Sequence, residues 1–365
     1  MGSIRLYLRP LGLIDGDAAR AAIEAGWARP IGGTTLAFTG AQVWLRDAQP
    51  ARDEVLPARD VETWAGSLGE PAVGAAREAL ARLAAPVRLP EPLPQRSPLI
   101  MGVVNVTPDS FSDGGDFFRA ADAIAQGRAL WQAGATIIDV GGESTRPGAL
   151  PVPEDEEIRR VLPVLRALAA DGIAVSIDSR KAGVMRAAIQ AGARMINDVS
   201  ALGHDPKSLG VAVASGLPVV LMHSLGDPQT MQQDPRYERA ALDVFDSLKE
   251  RIEACLAAGI VRERLLVDPG IGFGKTLAHN LDLLHNLFLF RTLGLPLVLG
   301  TSRKSFIGRI AGDPAAERGP GSIASALFGV LNGVSIVRAH DVAAMHQALR
   351  IWHAMALGGT INTAL

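Results

Sequence analysis

From residue 99 onward, short apolar runs alternate with longer amphipathic segments. The apolar runs are nearly continuous, which is typical of parallel strands buried on both faces. The predicted strands are LIMGVVN (99–105), TIIDVG (136–141), AVSIDS (174–179), RMINDV (194–199), PVVLMH (218–223), LLVDPG (265–270), PLVLGTS (296–302) and SIVRAH (335–340). Predicted helices follow at 119–133, 154–170, 181–192, 206–215, 236–258, 277–293, 321–332 and 341–356.

This alternation predicts an α/β fold and, within that class, a closed (β/α)8 TIM barrel. A run of strand–helix units over roughly 260 residues matches the size of such a barrel. The alternative is a doubly wound open sheet, which usually has fewer strands and a glycine fingerprint after the first one. Here the first strand leads into NVTPDSFSDGG (105–115), which is not that fingerprint.

The chain outside the barrel is predicted to form three further parts. Residues 1–85 mix strand-like and helical runs, which indicates a small N-terminal α/β extension whose role is not readable. Residues 86–98 carry five prolines and are expected to be an extended linker. The barrel is assigned to 99–357 and a C-terminal tail to 358–365.

Composition and charge indicate an ordinary globular protein, with 48% hydrophobic and 20% charged residues. The net charge of −2 gives no reason to expect nucleic-acid binding, so any anion site must be local. The sequence lacks the apolar run of a signal peptide and any stretch of about 18 apolar residues. We therefore expect a cytoplasmic protein with no membrane partner. The single cysteine, Cys255, is expected to be buried in a helix.

Polar side chains stand at or just beyond the end of almost every predicted strand. They are Asn105, Asp139, Asp178, Asn197, His223, Asp268, Lys304, Arg338 and His340. A single aspartate after a strand is more often a helix N-cap than a catalyst. A barrel, however, gathers the carboxyl ends of its strands on one face, where the active sites of such barrels lie. The repeated coincidence therefore predicts a functional cleft on that face.

The acidic and amide members of this set suit a flat heterocycle. Asp178, Asn197 and Asp268 offer hydrogen-bond acceptors and one amide, which match a ring edge rich in N–H donors. Unmatched polar atoms in such a buried site would cost about 1–3 kcal/mol each.

The basic members point to a phosphate group. Lys304, Arg338 and His340 follow the last two strands, whose loops form the usual phosphate site of these barrels. Arg146, after the second strand, offers a further guanidinium for bidentate contact. The residues thus predict that one sector of the cleft binds a heterocycle and another binds a phosphate.

Seven segments, in this order, resemble the dihydropteroate synthase family. They are MGVVNVTPDSFSDGG (101–115), IIDVGGESTRPGA (137–149), SIDSRKAGV (176–184), INDVSAL (196–202), VDPGIGFGKT (267–276), GTSRKSFIGR (300–309) and VRAHDV (337–342). The resemblance covers the whole predicted barrel, and the first two segments are long and specific. The N-terminal residues before it have no counterpart in the minimal family pattern.

The resemblance implies a transferase of folate biosynthesis. Such an enzyme condenses 6-hydroxymethyl-7,8-dihydropterin diphosphate with p-aminobenzoate and releases 7,8-dihydropteroate and diphosphate. In the family the C–O bond to diphosphate breaks early, and the aniline nitrogen captures the cationic pterin methylene. Mg2+ as cofactor and a homodimer are also implied. The apolar segment 322–333 is expected to pack against the second subunit.

The resemblance also implies roles for individual residues. The expected pterin contacts are Asp178, Asn197, Asp268 and Lys304; the expected diphosphate contacts are Asn105, Arg146, Arg338 and His340, with Asn105 also contacting Mg2+. The p-aminobenzoate pocket is expected to include Thr145, Pro147, Phe273 and Ser305. A mobile loop is expected to carry Asp109, Phe111 and Asp113. The catalytic set is expected to be Asp178, Asp268, Lys304 and Arg338.

Two other functions remain as alternatives. A barrel of the methyltetrahydrofolate methyltransferase type would share the acidic and amide edge but has no need of the TSRKS (301–305) or VRAHD (337–341) segments. A duplicated synthase that binds pterin without turnover is the non-enzymatic alternative. The departures from the family pattern are small, for example IDSRKA (177–182) where IDT-x-KA is frequent. GIGFGKT (270–276) is not a P-loop, because Pro269 stands where that motif needs glycine.

Overall fold

The computed structural model describes residues 5–46, 52–107, 116–146, 148–313 and 317–356. The chain divides into two compact units. The first comprises Met1–Arg88 and a separate segment, His285–Pro296. The second comprises Leu89–Leu284 and Leu297–Leu365. The first unit is therefore built from two pieces of chain that are far apart in sequence.

In its described residues, the first unit contains a four-stranded antiparallel sheet and three α-helices. Its strands are β1 (Arg5–Asp15), β2 (Arg29–Pro30), β3 (Leu36–Arg46) and β4 (Arg52–Pro57). β3 pairs with the other three strands, so it is the centre of the sheet. The helices are α1 (Gly16–Glu24), α2 (Val61–Gly66) and α3 (Glu70–Ala84), with a 3-10 turn at Ala58–Asp60.

The segment His285–Pro296 completes the core of the first unit. Its 3-10 helix, Leu287–Leu293, is buried at every position, and Phe288 belongs to the same apolar cluster as Leu8 and Phe38. A guanidinium nitrogen of Arg291 donates to the carbonyl oxygen of Gly32 at 2.8 Å. The sequence predicted one helix over 277–293, but the structure has an α-helix over Leu277–His285 that ends where Asn286 leaves the helical backbone conformation (φ −105°, ψ 20°).

The second unit is a closed barrel of parallel strands, which confirms the predicted (β/α)8 TIM barrel. The strands are β5 (Leu99–Asn105), β6 (Ile137–Gly141), β7 (Val175–Asp178), β8 (Met195–Asp198), β9 (Val219–Met222), β10 (Leu265–Asp268), β11 (Leu297–Leu299) and β12 (Val334–Ala339). Each strand pairs with its sequence neighbours, and β12 closes the barrel on β5.

Helices connect successive strands of the barrel. They are α4 (Asp116–Gln132), α5 (Glu154–Ala170), α6 (Ala182–Gln190), α7 (Ser208–Ser215), α8 (Ala240–Ala257), α9 (Leu277–His285), α10 (Ser305–Ala311), α11 (Gly319–Leu331) and α12 (Val342–Ala356). The short helix α10 was not predicted. Cys255 is buried in α8, as expected. No helix in the described part of the chain is long and apolar enough to cross a membrane.

Inside the barrel, apolar and polar layers are separated along the strands. The cluster of buried residues there includes Met101, Ile137, Met195, Leu266 and Ile336. Side chains two positions further along a strand point to the same side of it. Asp139, Asn197 and Asp268 follow Ile137, Met195 and Leu266 by two positions, so they stand above this apolar layer. The apolar layer therefore forms the floor beneath the polar carboxyl ends.

Phe288→Ala should destabilise the first unit, because it leaves a cavity in a core that the side chain fills. Losses of this kind cost about 3–5 kcal/mol. Chemical denaturation measures the change. Val55→Ala, at a side chain of β4 that is 68% exposed, is the matched control and should have almost no effect. An equal effect of the two substitutions would show that Phe288 does not support the core.

Candidate active site

A network of ion pairs and hydrogen bonds lies at the carboxyl ends of β6, β7, β8 and β12. Arg338 donates from Nε to Asp139 Oδ2 at 2.7 Å and from Nη2 to Asp178 Oδ2 at 2.7 Å. Asn197 Nδ2 donates to the same Asp139 oxygen at 2.9 Å. Asp139 therefore joins the guanidinium to the amide, and one cation lies between two carboxylates.

Burial controls the charge state of this network. Burial raises the pKa of Asp178 to about 7, against the opposing attraction of Arg338. The pKa of Arg338 is raised above its already high ordinary value, because the attraction of Asp139 and Asp178 outweighs the effect of burial. Arg338 is thus a permanent cation, whereas Asp178 can hold or release a proton near neutral pH.

Asp268, at the end of β10, begins a glycine-rich loop. Its Oδ1 accepts a hydrogen bond from the backbone N–H of Gly270 at 2.7 Å, and burial raises the pKa of its carboxyl group. Gly270 has φ +66°, and a Cβ there would lie 1.9 Å from the carbonyl oxygen of His223. Only glycine fits this position, so the loop is held close to the end of β9.

Phe273 in this loop contacts Lys304. The Lys304 Nζ lies 3.9 Å from the centroid of the Phe273 ring, a cation–π geometry. Burial and the nearby Arg338 lower the pKa of Lys304 to about 8, although Asp268 and Asp178 oppose the shift. Lys304 immediately precedes α10, whose first residue, Ser305, is exposed.

Lys275 lies near the end of the same loop. Its side chain is buried, with only 3% of the residue exposed. Its Nζ donates to the carbonyl oxygen of Phe273 at 2.9 Å and lies 2.9 Å from His223 Nδ1. Burial lowers the pKa of Lys275 to about 7. Burial, followed by the nearby charge of Lys275, lowers the pKa of His223 to about 3. His223 is therefore neutral, and its Nδ1 acts as the acceptor.

His340 and Arg303 lie beside the network, after β12 and β11. The backbone N–H of His340 donates to Ser302 Oγ at 3.1 Å, and its Nδ1 lies 3.1 Å from the same oxygen. Burial, followed by the charges of Arg338 and Arg303, lowers the pKa of His340 to about 4. His340 is therefore neutral near pH 7. Arg303 Nε donates to Asp341 at 3.0 Å, so that arginine is held in an ion pair.

The remaining predicted site residues lie on the loops around this centre. Asn105 ends β5 and lies near Asp178, with Gly141 between them. A Cβ on Gly141 would lie 3.7 Å from Asn105 Oδ1 and 3.6 Å from Asp178 Oδ2. Thr145 is half-buried and Arg146 is exposed on the loop after β6. Four predicted residues lie outside the described part of the chain: Asp109, Phe111, Asp113 and Pro147.

The structure brings the predicted heterocycle and phosphate sectors into contact with each other. Arg338, assigned from sequence to the phosphate, holds Asp178, assigned to the heterocycle. Asp268 and Lys304 are close enough to shift each other's pKa.

Two residues were not recognised as members of the site. Asp139 was noted only as a polar strand end, and Lys275 only as part of a rejected P-loop. The position of Asp139 at the end of a strand indicates that it could belong to the site. No feature of the sequence around Lys275 gives such an indication.

Comparisons with known proteins identify the same family as the sequence motifs. A model of the pterin binding enzyme family matches residues 101–340. The dihydropteroate synthase of Haemophilus influenzae is 48% identical over 260 residues, covering 71% of this chain and 94% of that protein.

Solved structures agree. The Xanthomonas albilineans dihydropteroate synthase with 4-aminobenzoic acid has a TM-score of 0.67 and 45% identity, covering 71% of this chain and 93% of that one. The enzyme of that organism in complex with 7,8-dihydropteroate gives 0.66 and 43%, covering 72% and 95%.

Lys275→Met should remove a pH-dependent part of the stability. The pKa of Lys275 is about 7 in the folded protein, whereas an unfolded chain has a lysine pKa of roughly 10.4. Between these values the unfolded chain binds more protons, so the free energy of unfolding rises with pH. Wild-type protein should therefore gain stability relative to Lys275→Met between about pH 7 and about pH 10.

Chemical denaturation at several pH values measures this difference, and Lys249→Met, on an exposed part of α8, is the matched control. A difference between wild type and Lys275→Met that stays constant over this range would contradict the expected shift.

Proposed function

Because this chain belongs to the dihydropteroate synthase family, we propose that it condenses 6-hydroxymethyl-7,8-dihydropterin diphosphate with p-aminobenzoate. The products are 7,8-dihydropteroate and diphosphate. The observation that carries the proposal is the network of Asp139, Asp178, Asn197 and Arg338 at the carboxyl ends of the barrel strands. It combines acceptors for a pterin with a permanent cation for a phosphate.

The pterin edge is bound by Asp178, Asn197 and Asp268. The Asn197 amide nitrogen donates to Asp139, which fixes the orientation of the amide and leaves its oxygen to accept from the ring. Asp268 Oδ1 accepts from Gly270, so its second oxygen is the one available to a ligand N–H. Lys304 adds a donor for the ring acceptors and is held in place against Phe273.

The diphosphate is bound by Arg338 and His340, together with Asn105 and Arg146. Arg338 uses Nε and one Nη2 hydrogen for the carboxylates, so its Nη1 group and the second Nη2 hydrogen are donors for phosphate oxygens. His340 is neutral and acts as a hydrogen-bond donor rather than as a cation. When the C–O bond breaks, the departing oxygen gains charge next to Arg338, and the pterin methylene gains positive charge near Asp178 and Asp268.

We also propose that Mg2+ accompanies the diphosphate. Mg2+ prefers oxygen ligands, keeps several waters and usually takes one or two protein groups plus substrate phosphates. Asn105 Oδ1, at the end of β5, fits this need and would hold the ion. When bound, Mg2+ would neutralise negative charge on the leaving group. In the described residues no group of three or more histidine, cysteine or carboxylate side chains could hold a metal alone.

We assign the p-aminobenzoate ring to the region beside Phe273, with Thr145 on the loop after β6 and Ser305 at the start of α10; Pro147 stays a prediction from the sequence, because it lies outside the described residues. Phe273 offers a ring face, and Ser305 begins a helix, where backbone N–H groups favour the carboxylate of the substrate. The aniline nitrogen then captures the pterin methylene: the C–N bond replaces the broken C–O bond to diphosphate, and the nitrogen releases one proton to water.

We further propose a homodimer that forms through α11 and α12. The segment 322–333 is largely apolar, and Phe328 and Leu331 on α11 are 43% and 53% exposed. Ile351 and Met355 on α12 are 58% and 70% exposed, and α12 contacts α11. Apolar side chains grouped in this way favour coverage by a second copy.

The direct test is release of diphosphate from the pterin substrate with and without p-aminobenzoate. Wild-type protein should release it and form dihydropteroate. Asp268→Asn should weaken pterin binding by about 2–4 kcal/mol, because it removes a buried charged acceptor. Calorimetric titration with the pterin substrate measures this loss. Asp171→Asn, at a partly exposed carboxylate paired with Arg128, is the control and should bind normally.

Pterin binding without diphosphate release would overturn the synthase and favour a binding protein. Unchanged pterin affinity in Asp268→Asn would contradict the role of this carboxylate.

Phe328→Glu should shift the protein toward the monomer, because it places a charge in the proposed subunit contact. Sedimentation equilibrium at micromolar concentration measures the change. Leu281→Glu, on α9 at a side chain that is 42% exposed, is the matched control and should leave the assembly unchanged. A wild-type monomer under these conditions would contradict the proposed dimer.

A further inference from the structure

The loop after β6, which carries Thr145 and Arg146, is closed at its base by a buried carboxylate. Glu143 Oε2 accepts from the backbone N–H of Val152 at 2.8 Å, so the first and last turns of the loop are joined. Lys181 Nζ donates to the same carboxylate at 2.6 Å and to the carbonyl oxygen of Val152 at 2.6 Å. The backbone N–H and the carbonyl oxygen of Val152 are therefore both hydrogen-bonded.

Arg180 connects the Glu143 carboxylate to the loop after β9. Its Nε donates to Glu143 Oε1 at 3.0 Å, and its Nη1 donates to Asp227 Oδ1 at 2.9 Å. The Arg180 side chain is only 10% exposed, whereas Asp227 is 66% exposed. A second link runs beside it, because the backbone N–H of Gly148 donates to the carbonyl oxygen of Pro228 at 3.0 Å. The two loops are thus tied at neighbouring positions.

The loop after β9 in turn supports the loop that carries Phe273. Gln232 Nε2 donates to the carbonyl oxygen of Gly272 at 2.8 Å, and Tyr237 donates from its hydroxyl group to that of Gly274 at 2.9 Å. A Cβ on Gly274 would lie 2.7 Å from the backbone oxygen of Leu225, so these two loops are in close contact. A continuous set of contacts therefore leads from Glu143, on the loop of Thr145, through Arg180 and the loop after β9, to the loop of Phe273.

We propose that Arg180 is a positioning residue for p-aminobenzoate. By bridging Glu143 and Asp227, it holds the loop of Thr145 and the loop that supports Phe273 in one relative arrangement. Thr145 and Phe273, which these two loops carry or support, both belong to the proposed p-aminobenzoate pocket, so the inference rests on the proposed function. Arg180 lies in the IDSRKA segment (177–182), directly after Ser179.

The bridge needs a guanidinium for a geometric reason. Nε and Nη1 point along different directions of one rigid plane, so a single side chain can reach two carboxylates at once. Lysine has one ammonium centre on a flexible stem, and serine reaches neither carboxylate. The series Arg180, Arg180→Lys and Arg180→Ser should therefore weaken the connection stepwise without changing any proposed substrate contact.

Steady-state kinetics of dihydropteroate formation test the proposal. Arg180→Ser should raise the KM for p-aminobenzoate by about tenfold, because a pocket wall displaced by a fraction of an ångström loses its fit. The KM for the pterin substrate and kcat should change less than about twofold. Arg180→Lys should fall between Arg180→Ser and wild type. Arg128→Ser, which removes another arginine–carboxylate pair of the barrel, is the matched control and should leave all constants unchanged.

Asp227→Ala is the second variant, and it keeps the test open if Arg180→Ser does not fold. It removes the acceptor at the exposed end of the bridge, and it should raise the same KM. The double variant Arg180→Ser with Asp227→Ala should be no worse than Arg180→Ser alone, because both changes break one connection. An unchanged KM for p-aminobenzoate in Asp227→Ala, or equal changes in both KM values and kcat, would overturn the positioning role. A wild-type protein that does not form dihydropteroate would instead overturn the proposed function itself.

Discussion

The polar end of the barrel depends on one buried arginine placed between two carboxylates. Asp139 is completely buried, and Arg338 is the cation that pairs with it. Removing one partner of a buried ion pair typically costs about 3–5 kcal/mol, because the other charge is left without compensation. Asp178 and the Asn197 amide take their positions from the same two residues. The geometry offered to a flat ring is therefore set by an interaction among protein groups, before any ligand arrives.

The charges around this pair are also balanced against each other. Asp178 and Lys304 have pKa values shifted to about 7 and about 8, so both lie close to neutral pH. Arg338 remains charged, and His340 remains neutral. A site of this kind combines a fixed cation with groups whose protonation can follow the charge of the ligand. That combination suits a reaction in which a polyanion leaves and a cationic carbon forms.

Much of the fold and part of the site could be predicted because the responsible patterns are local. Buried parallel strands appear as apolar runs, and Asp178, Asn197 and Asp268 stand where such runs end. The role of Asp139 was missed because it depends on Arg338, which is 199 residues away in sequence. Lys275 follows a glycine-rich stretch that gives no sign of burial. The extra helix α10 is short, so its period was too brief to distinguish from a loop.

The insertion of residues 285–296 into the N-terminal unit has a consequence for biosynthesis. During translation, domains usually fold in order as they leave the ribosome. Here the apolar core around Leu8 and Phe38 lacks Phe288 until most of the barrel sequence has been synthesised. The first unit therefore stays incompletely packed until six of the eight barrel strands, β5 to β10, have been synthesised. Its completion is a late event on the nascent chain, although its sequence comes first.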